Sequence, residues 1–379
     1  MLKVLFAGDF APCRGFEAMA RKKRKSLLDG IHDAAKASDL SFLNLETPLC
    51  RTGSPLQKSG PNIRAHPDCI GPVADAGFDV AGLANNHIMD FGPEGLYKTM
   101  EVCHKVGLKT CGAGQNLKEA QKSVFIEKKG TKVAIIAVAE HEFSIAKNEK
   151  PGAAPLGPID NLIQLEQAKT WADLVFISIH GGNEHFPYPR PGLKKICKFF
   201  IDRGADAVIC HHAHVPGAYE FYRDKPIVYS LGNLIFDHPN PPEGWNQGYA
   251  IRLEYDVQSK ALQSHEIIPY TQSVDQGGIR KMQGCEKEAF MNMMESYRNT
   301  LSDEKKYALA WDNFCAGKRR TVLLKMFFPF QFRGLGKLAR LLPIEQLALP
   351  KSTAWARKNH IDCESHRELL STILEKKCR

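Results

Sequence analysis

The sequence lacks the cysteine patterns that stabilise secreted domains or hold structural zinc. Its 379 residues include 11 cysteines, an odd number, and no two of them form a CxxC pair. A disulfide framework usually shows an even number of regularly spaced cysteines, and a thiolate zinc site usually contains CxxC pairs. The sequence therefore favours a protein of a reducing compartment without either feature.

Long apolar runs are also absent. No uninterrupted apolar stretch in the sequence reaches the ~20 residues that a helix needs to cross a bilayer. Met1 to Lys3 lead directly into the strand-like run Val4 to Ala7, without the basic leader and apolar core of a signal peptide. We therefore expect a cytoplasmic protein.

Most of the chain has little excess charge of either sign. The formal net charge is +9. The residues from Leu301 onward contain 16 Lys/Arg and 8 Asp/Glu, and so carry almost all of that excess. A nearly neutral main domain is not typical of nucleic-acid-binding proteins. We expect no nucleic-acid partner.

The basic excess is densest between Lys318 and Arg340. This segment holds seven Lys/Arg and no acidic residue, interleaved with leucine and phenylalanine. Such a segment can lie peripherally on the anionic inner membrane surface or contact a synthase complex. The alternative is a helix that packs on the main domain through its apolar face.

Apolar strand-like runs alternate with helical segments through most of the chain, which is typical of an α/β protein. Leu174 to Ile179 is the strongest buried strand, and residues 227–231 and 232–237 are predicted to continue one sheet. Beyond about Gly277 the pattern changes to helices. We therefore predict a main domain over residues 1–275 and a helical basic extension over residues 276–379.

Ionisable and amide side chains recur where the strand-like runs end. They are Asp9, Glu46, Asn86, His87, His180, Glu184, His211, His212 and His214. In a layered α/β domain these ends lie close together at the carboxyl edge of the sheet, where ligands bind. Taken alone, the stretch around Asn86 and His87 could equally be a polar turn that caps a helix.

Carboxylate, amide and imidazole ligands together suit Mn, Fe or Zn. Two such ions bridged by one carboxylate can activate a water molecule against phosphorus or a carbonyl carbon. Glu46 or Asp9 could supply the bridge. Residues 51–67 are rich in Gly, Pro and Ser and predict a long loop, in which Lys58, Arg64 and His66 either face an anionic substrate or are simply exposed.

Several motifs together resemble one family. They are Gly8-Asp9 with Arg14, Asn44-Leu45-Glu46, Ala84-Asn85-Asn86-His87 with Asp90 and Gly92, His180 with Glu184, His211-His212-Ala213-His214, and Ser230-Leu231-Gly232-Asn233 with Phe236-Asp237. Over roughly residues 1–270 the chain resembles the CapA family of capsule or poly-γ-glutamate biosynthesis, within the calcineurin-like metallophosphoesterase superfamily. The resemblance implies a four-layered αββα metallophosphoesterase-like sandwich with a dinuclear site at its strand ends.

The resemblance also implies roles for individual residues. Two divalent ions (Mn, Fe or Zn) would be held by Asp9, Glu46, Asn86, His180, His212 and His214. His87 would be the general acid that protonates the leaving group or stabilises its charge, and we assign Arg14 and Asp90 to the catalytic group with it. We assign His66, Glu184 and His211 to binding of an anionic small-molecule or polymer substrate.

These features predict a metal-dependent hydrolase of a phosphoester or a γ-glutamyl amide bond in capsule or cell-surface polymer biosynthesis. The alternative is a non-catalytic accessory protein that binds a polymer synthase or a polyanionic chain. Two features motivate this alternative. Ala11 stands where many superfamily members carry a histidine, and the C-terminal tail is basic.

Overall fold

The computed structural model describes residues 1–22 and 27–327, together with residues 354, 357, 361, 366, 370 and 374. The chain divides into two compact units, Met1–Tyr307 and Ala308–Arg379. Residues 328–340 of the basic segment lie outside the described residues. The predicted docking of that segment therefore stays a prediction.

Strands and helices alternate through the first unit. In chain order the elements are β1 (Leu2–Ala11), α1 (Gly15–Lys22), α2 (Asp29–Lys36), β2 (Leu40–Leu45), a 3-10 helix (Pro67–Ile70), α3 (Gly71–Asp75), β3 (Val80–Gly82), α4 (Gly92–Lys105), β4 (Lys109–Cys111), β5 (Ala113–Gly114), α5 (Leu117–Ala120), β6 (Val124–Lys128), β7 (Thr131–Ala139), β8 (Gly152–Ala153), α6 (Pro158–Lys169), β9 (Leu174–His180), α7 (Pro191–Asp202), β10 (Ala207–His211), β11 (Tyr219–Tyr222), β12 (Lys225–Val228), β13 (Asn233–Phe236), β14 (Gln247–Tyr255), β15 (Leu262–Ser273), β16 (Gly278–Lys281), α8 (Gly284–Ser302) and α9 (Glu304–Phe327).

The first sheet is built around β1. Its strands lie in the order β16-β15-β14-β1-β2-β3-β4. Along its first half β1 pairs antiparallel with β14, from Leu2 to Phe6. At Asp9 the register shifts, and the end of β1 pairs in parallel with β13 instead. Such an irregularity redirects side chains locally, and here it lies at the predicted metal ligand.

The second sheet has the order β11-β12-β10-β9-β7-β6. Its central strand β9 is buried along its whole length, as expected for a parallel strand covered on both faces. The prediction that residues 227–231 and 232–237 continue one sheet is wrong. β12 pairs with β10 in this sheet, whereas β13 pairs with β1 in the first, so the chain crosses between the sheets at Ser230–Gly232.

The two sheets pack face to face and are covered by helices on their outer sides. The Phe6 ring of β1 meets the Phe176 ring of β9 edge-on, with centroids 5.4 Å apart. Helices α2 and α4 contact the first sheet, and α6 and α7 contact the second. The α/β fold with four αββα layers is therefore confirmed.

The predicted helical C-terminal segment is also present, as α8 and α9. Phe290, Met294 and Leu301 of α8 are buried, and the whole of α8 lies within the first compact unit. The division into residues 1–275 and 276–379 stays a prediction about domains. None of the helices within the described ranges is long and apolar enough to cross a bilayer.

The close approach of β1 and β13 requires a residue without a side chain at position 8, which is Gly8. A Cβ added at Gly8 would lie 2.0 Å from the carbonyl oxygen of Gly232, which accepts a hydrogen bond from the Asp9 amide at 3.1 Å. Any side chain there would push β13 away from the strand end that carries Asp9.

We expect Gly8→Ala to lower the free energy of unfolding by about 1–3 kcal/mol, since the added methyl group overpacks a backbone contact. Urea denaturation followed by circular dichroism measures this change. Gly317→Ala is the matched control, because no atom of the described residues beyond the adjacent helical backbone lies within 4 Å of a Cβ added at that position. Equal stability of the Gly8→Ala variant and the wild-type protein would contradict this account of the strand contact.

Candidate metal centre

The ends of four strands from both sheets bring the predicted ligands together. Asp9 lies in β1, Glu46 follows β2, His180 ends β9, and His212 and His214 follow β10. All five side chains are buried. Two groups can each hold a cation, since their ligand atoms lie within 4.8 Å of one another: Glu46 with His180 and His212, and Asp9 with Glu46 and His214.

Glu46 belongs to both groups, and no described residue donates a hydrogen bond to its carboxylate. Both of its carboxylate oxygens are buried without a hydrogen bond. Its Oε1 lies 3.4 Å from Nε2 of His180 and 3.6 Å from Nε2 of His214. Burial, and next the charge of Asp9, raise the pKa of the Glu46 carboxyl well above its ordinary value. A buried unpaired carboxylate is costly unless a cation or a proton neutralises it, so this residue fits a metal site.

Asp9 is held in the opposite electrostatic state. Its Oδ1 accepts a 2.8 Å hydrogen bond from Asn44 Nδ2, and its Oδ2 accepts one at 3.2 Å from the His212 amide. Burial alone would raise the pKa of the Asp9 carboxyl, but the adjacent His211 ring, together with His180 and His214, lowers it below its usual range. Asp9 is therefore an anion at neutral pH and is ready to bind a cation.

His180 lies at the centre of the amide and imidazole ligands. Its Nε2 lies 3.1 Å from Oδ1 of Asn86 and 3.1 Å from Nδ1 of His212. On the other side of the ring, Nδ1 lies 3.2 Å from Asn44 Nδ2. Burial, and next the charge of His212, lower the pKa of His180 well below its ordinary value. The ring is therefore neutral, which is the form that binds metals.

His214 is oriented by an asparagine from β13. Its Nδ1 lies 3.0 Å from Oδ1 of Asn233, whose Nδ2 donates to the His214 carbonyl oxygen at 3.1 Å. Burial lowers the pKa of His214 to about 4. The backbone φ angles of His212 and His214 are 92° and 59°, in a region that non-glycine residues rarely adopt. Strain of this kind is typical of functional sites whose surroundings fix the backbone.

His87 and Asp90 form a buried pair beside Asn86. His87 Nδ1 lies 2.6 Å from Asp90 Oδ2. The Lys58 ammonium donates a hydrogen bond to Asp90 Oδ1 and lies 3.2 Å from His87 Nδ1. The Lys58 side chain is only 1% exposed. Of the two interpretations of this lysine, simple surface exposure is therefore wrong.

The remaining predicted residues lie in different surroundings. Arg14 is exposed and donates from Nη1 to the carbonyl oxygen of Asp237 at 2.7 Å. His66 caps the 3-10 helix, with its Nδ1 accepting from the Asp68 amide at 3.2 Å. These two hydrogen bonds do not involve any of the metal-ligand residues.

Glu184 and His211 differ in their exposure. The Glu184 side chain is 55% exposed. Partial burial alone would raise the pKa of its carboxyl, but the charges of His214 and His212 lower it. His211 is fully buried, with Nδ1 3.1 Å from Asp9 Oδ1. In that position His211 can help to hold Asp9. No observation favours the assigned contact of His211 with substrate.

Sequence patterns assign no role to Asn44 and Asn233, which the structure places against the centre, and they leave Lys58 open between substrate contact and simple exposure. Asn44 contacts a ligand from each sheet, and Asn233 orients His214. Both lie in motifs beside assigned residues, and this proximity is the only sequence signal for them. No sequence signal predicts the burial of Lys58, because it lies in a loop rich in Gly, Pro and Ser.

Comparison with known proteins gives consistent matches. A family model described as "Bacterial capsule synthesis protein PGA_cap" matches residues 3–238. The chain is 30% identical over 284 residues to the capsule biosynthesis protein CapA of Bacillus anthracis, an alignment that covers 72% of this chain and 66% of that protein. It is 29% identical over 276 residues to the PGA biosynthesis protein CapA of Bacillus subtilis (strain 168), with 71% of each chain covered.

A solved structure described as a novel phosphatase from Mycoplasma pneumoniae matches with a TM-score of 0.47 and 17% identity, over 71% of this chain and 93% of that chain. Similarity at this level carries no argument about function. The family model covers more than half of the chain, and the protein therefore belongs to the bacterial capsule synthesis (PGA_cap, CapA) family, as its motifs predict.

Proposed function

We propose that the protein is a metal-dependent hydrolase of a phosphoester or a γ-glutamyl amide bond, acting in capsule or cell-surface polymer biosynthesis. One observation carries the proposal: the Glu46 carboxylate is buried, unpaired and common to two potential cation-binding groups. A carboxylate shared in this way is the expected bridge of a two-metal hydrolytic site.

The donor set fits two divalent ions. Glu46, His180 and His212 would hold one, and Asp9, Glu46 and His214 the other, with the Asn86 amide oxygen next to His180. The mixture of oxygen and imidazole ligands suits Mn, Fe or Zn. When bound, such ions supply Lewis acidity toward a phosphoryl or carbonyl oxygen.

The chain's own contribution to bond cleavage is proton transfer by His87. An ionised Asp90 oxygen can only accept, so the 2.6 Å contact makes His87 Nδ1 the donor. Nε2 is then the ring nitrogen that takes up a second proton, and the doubly protonated ring would give that proton to the leaving group. Only 8% of His87 is exposed, and this limits competition from bulk water.

The substrate class rests on the family and on charge. Two curated relatives are described as a capsule biosynthesis protein and a PGA biosynthesis protein. The exposed guanidinium of Arg14 offers a cation to an anionic substrate and is held in place by its bond to Asp237. We propose an anionic substrate from this polymer chemistry.

The alternative is an accessory protein that contacts a synthase or an anionic membrane through its basic C-terminal segment. Exposed apolar side chains of α9, namely Leu309, Val322 and Met326, favour such a contact. Co-sedimentation with vesicles containing anionic lipid tests it. Binding that is independent of anionic lipid would contradict the membrane form of this alternative.

Metal binding should release protons, because the raised pKa of Glu46 keeps its carboxyl protonated at pH values below that pKa. A cation displaces this proton, whereas His180 and His214 are already neutral and release none. We expect about one proton per protein at pH values below the raised pKa of Glu46 and progressively less as the pH rises above it. Calorimetry of Mn²⁺ or Zn²⁺ binding in buffers of different ionisation enthalpy measures the number.

The control for that titration is Glu46→Gln, which keeps the side-chain shape but has no titrating carboxyl. It should abolish the proton release and weaken binding of both ions. Proton release of unchanged size in Glu46→Gln would show that another group supplies the proton.

Replacement of His87 by Gln should lower kcat for a phosphodiester such as bis(p-nitrophenyl) phosphate by ~10²–10⁴ fold, the usual contribution of a general acid. Metal content should be unchanged. His104→Gln, on the outer face of α4, is the matched control and should leave kcat unchanged. A metal-loaded His87→Gln enzyme with wild-type kcat would remove His87 from the mechanism.

A further inference from the structure

Residues 51–66, which precede the 3-10 helix, turn the charged side chain of Lys58 inward. Gln57 and Ser59, on either side of Lys58, are exposed, whereas the Lys58 side chain is 1% exposed. Lysine is almost never fully buried unless it is paired. The inward turn therefore reflects a specific partner.

That partner is the Asp90 carboxylate, which is itself fully buried. Oδ1 accepts from the Lys58 ammonium. Oδ2 accepts a 2.7 Å hydrogen bond from the Ile63 amide and lies 2.6 Å from His87 Nδ1. Three donors therefore converge on one carboxylate, and two of them, Lys58 and Ile63, come from the same loop.

Further contacts fasten the loop to the same stretch of chain. The Leu56 amide donates to the Asp90 carbonyl oxygen at 2.9 Å, and Asn62 Nδ2 donates to the Leu56 carbonyl oxygen at 2.9 Å. Phe143, from the loop after β7, lies under the Lys58 ammonium with its ring centroid 5.5 Å away. The ammonium is thus enclosed by Asp90, His87 and an aromatic face.

We propose that Lys58 is a positioning residue: by pairing with Asp90 it keeps His87 in the Nδ1-protonated tautomer and holds residues 56–63 beside His87. Lys58 Nζ and His87 Nδ1 are 3.2 Å apart. Both donate to Asp90, so they lie close together because they share this acceptor and not because they bond to each other. The expected change in kcat rests on the proposed hydrolytic function, whereas the expected changes in the His87 tautomer and in hydrogen exchange of the loop do not.

The physical reason is the cost of an unpaired buried charge. Without the ammonium, Asp90 keeps the Ile63 and His87 donors but loses its cationic partner. With only those two donors the carboxylate can rotate away from His87 Nδ1, which then loses the acceptor that favours its proton. The ring would shift toward its Nε2-protonated form, and the loop would lose one of its attachments.

The test uses Lys58→Met, which removes the charge and keeps most of the side-chain length, in the full Zn²⁺-loaded chain. Long-range ¹H–¹⁵N correlations of the histidine rings report the tautomer, with His87 assigned through the His87→Gln variant. Hydrogen exchange of a peptide containing Ile63 reports the loop. Lys118→Met, at an exposed lysine of α5, is the matched control.

We expect wild-type protein and Lys118→Met to show His87 as a single Nδ1-protonated tautomer. Lys58→Met should bind the same amount of zinc, lose the single tautomer and exchange faster at Ile63. Its kcat should fall about 10- to 100-fold, the usual effect of removing a supporting partner, with a smaller change in KM. Lys58→Arg keeps the charge and should retain the tautomer, so it remains informative if Lys58→Met does not fold.

Wild-type tautomer and exchange rates in Lys58→Met would overturn the proposal, whatever the activity. A change confined to KM would overturn it as well, since that result assigns Lys58 to direct substrate contact. If the wild-type protein hydrolyses no test substrate while the tautomer and exchange change as expected, the hydrolase function fails and the positioning role of Lys58 is supported.

Discussion

The Glu46 carboxylate is the group on which the rest of the centre depends. It is buried at the junction of the two sheets with no hydrogen-bond donor, between His180 and His214. A fold does not usually keep such a group unless it serves a function, because an unpaired buried charge is expensive. The neighbouring Asp9 is stabilised as an anion by several donors. Asp9 therefore already has partners that stabilise its charge, whereas Glu46 has none among the described residues. A shared cation would supply the partner that Glu46 lacks.

The sheet architecture explains how these groups meet. The first half of β1 is held by β14 and its end by β13, so Asp9 lies where β1 changes neighbours. His212 and His214 follow β10 of the second sheet, in a turn where both have strained, positive φ angles. Asn44 contacts Asp9 from the first sheet and His180 from the second. The centre therefore lies between the two sheets. Its geometry is set by strand pairing and by buried asparagines.

Sequence patterns could predict the ligands because each follows an apolar run that forms a strand. The carboxyl ends of parallel strands lie together in space, so Asp9, Glu46 and His180 are recognisable from position alone. The four layers followed from the family resemblance, and the pairing of Phe6 with Phe176 confirms them. The split between β12 and β13 was not predictable, since both are short apolar runs and only their partners differ.

Lys58 shows where such prediction ends. Its loop has the composition of an exposed connection, and its burial depends on hydrogen bonds to Asp90, a residue 32 positions away in sequence. Apolar periodicity carries no signal for a contact of this kind. His211 shows the converse: it belongs to a histidine-rich turn assigned to substrate binding, yet its ring is fully buried and lies 3.1 Å from Asp9, a position that suits support of that ligand. Residue type and spacing alone did not distinguish these roles.

The most direct test of the account is anomalous X-ray diffraction from crystals of the full chain grown with Mn²⁺. We predict two anomalous peaks about 3.5–4 Å apart, with the Glu46 carboxylate bound to both ions. A single peak, or two peaks that do not share Glu46, would contradict the assignment of Glu46 as the bridge between two ions.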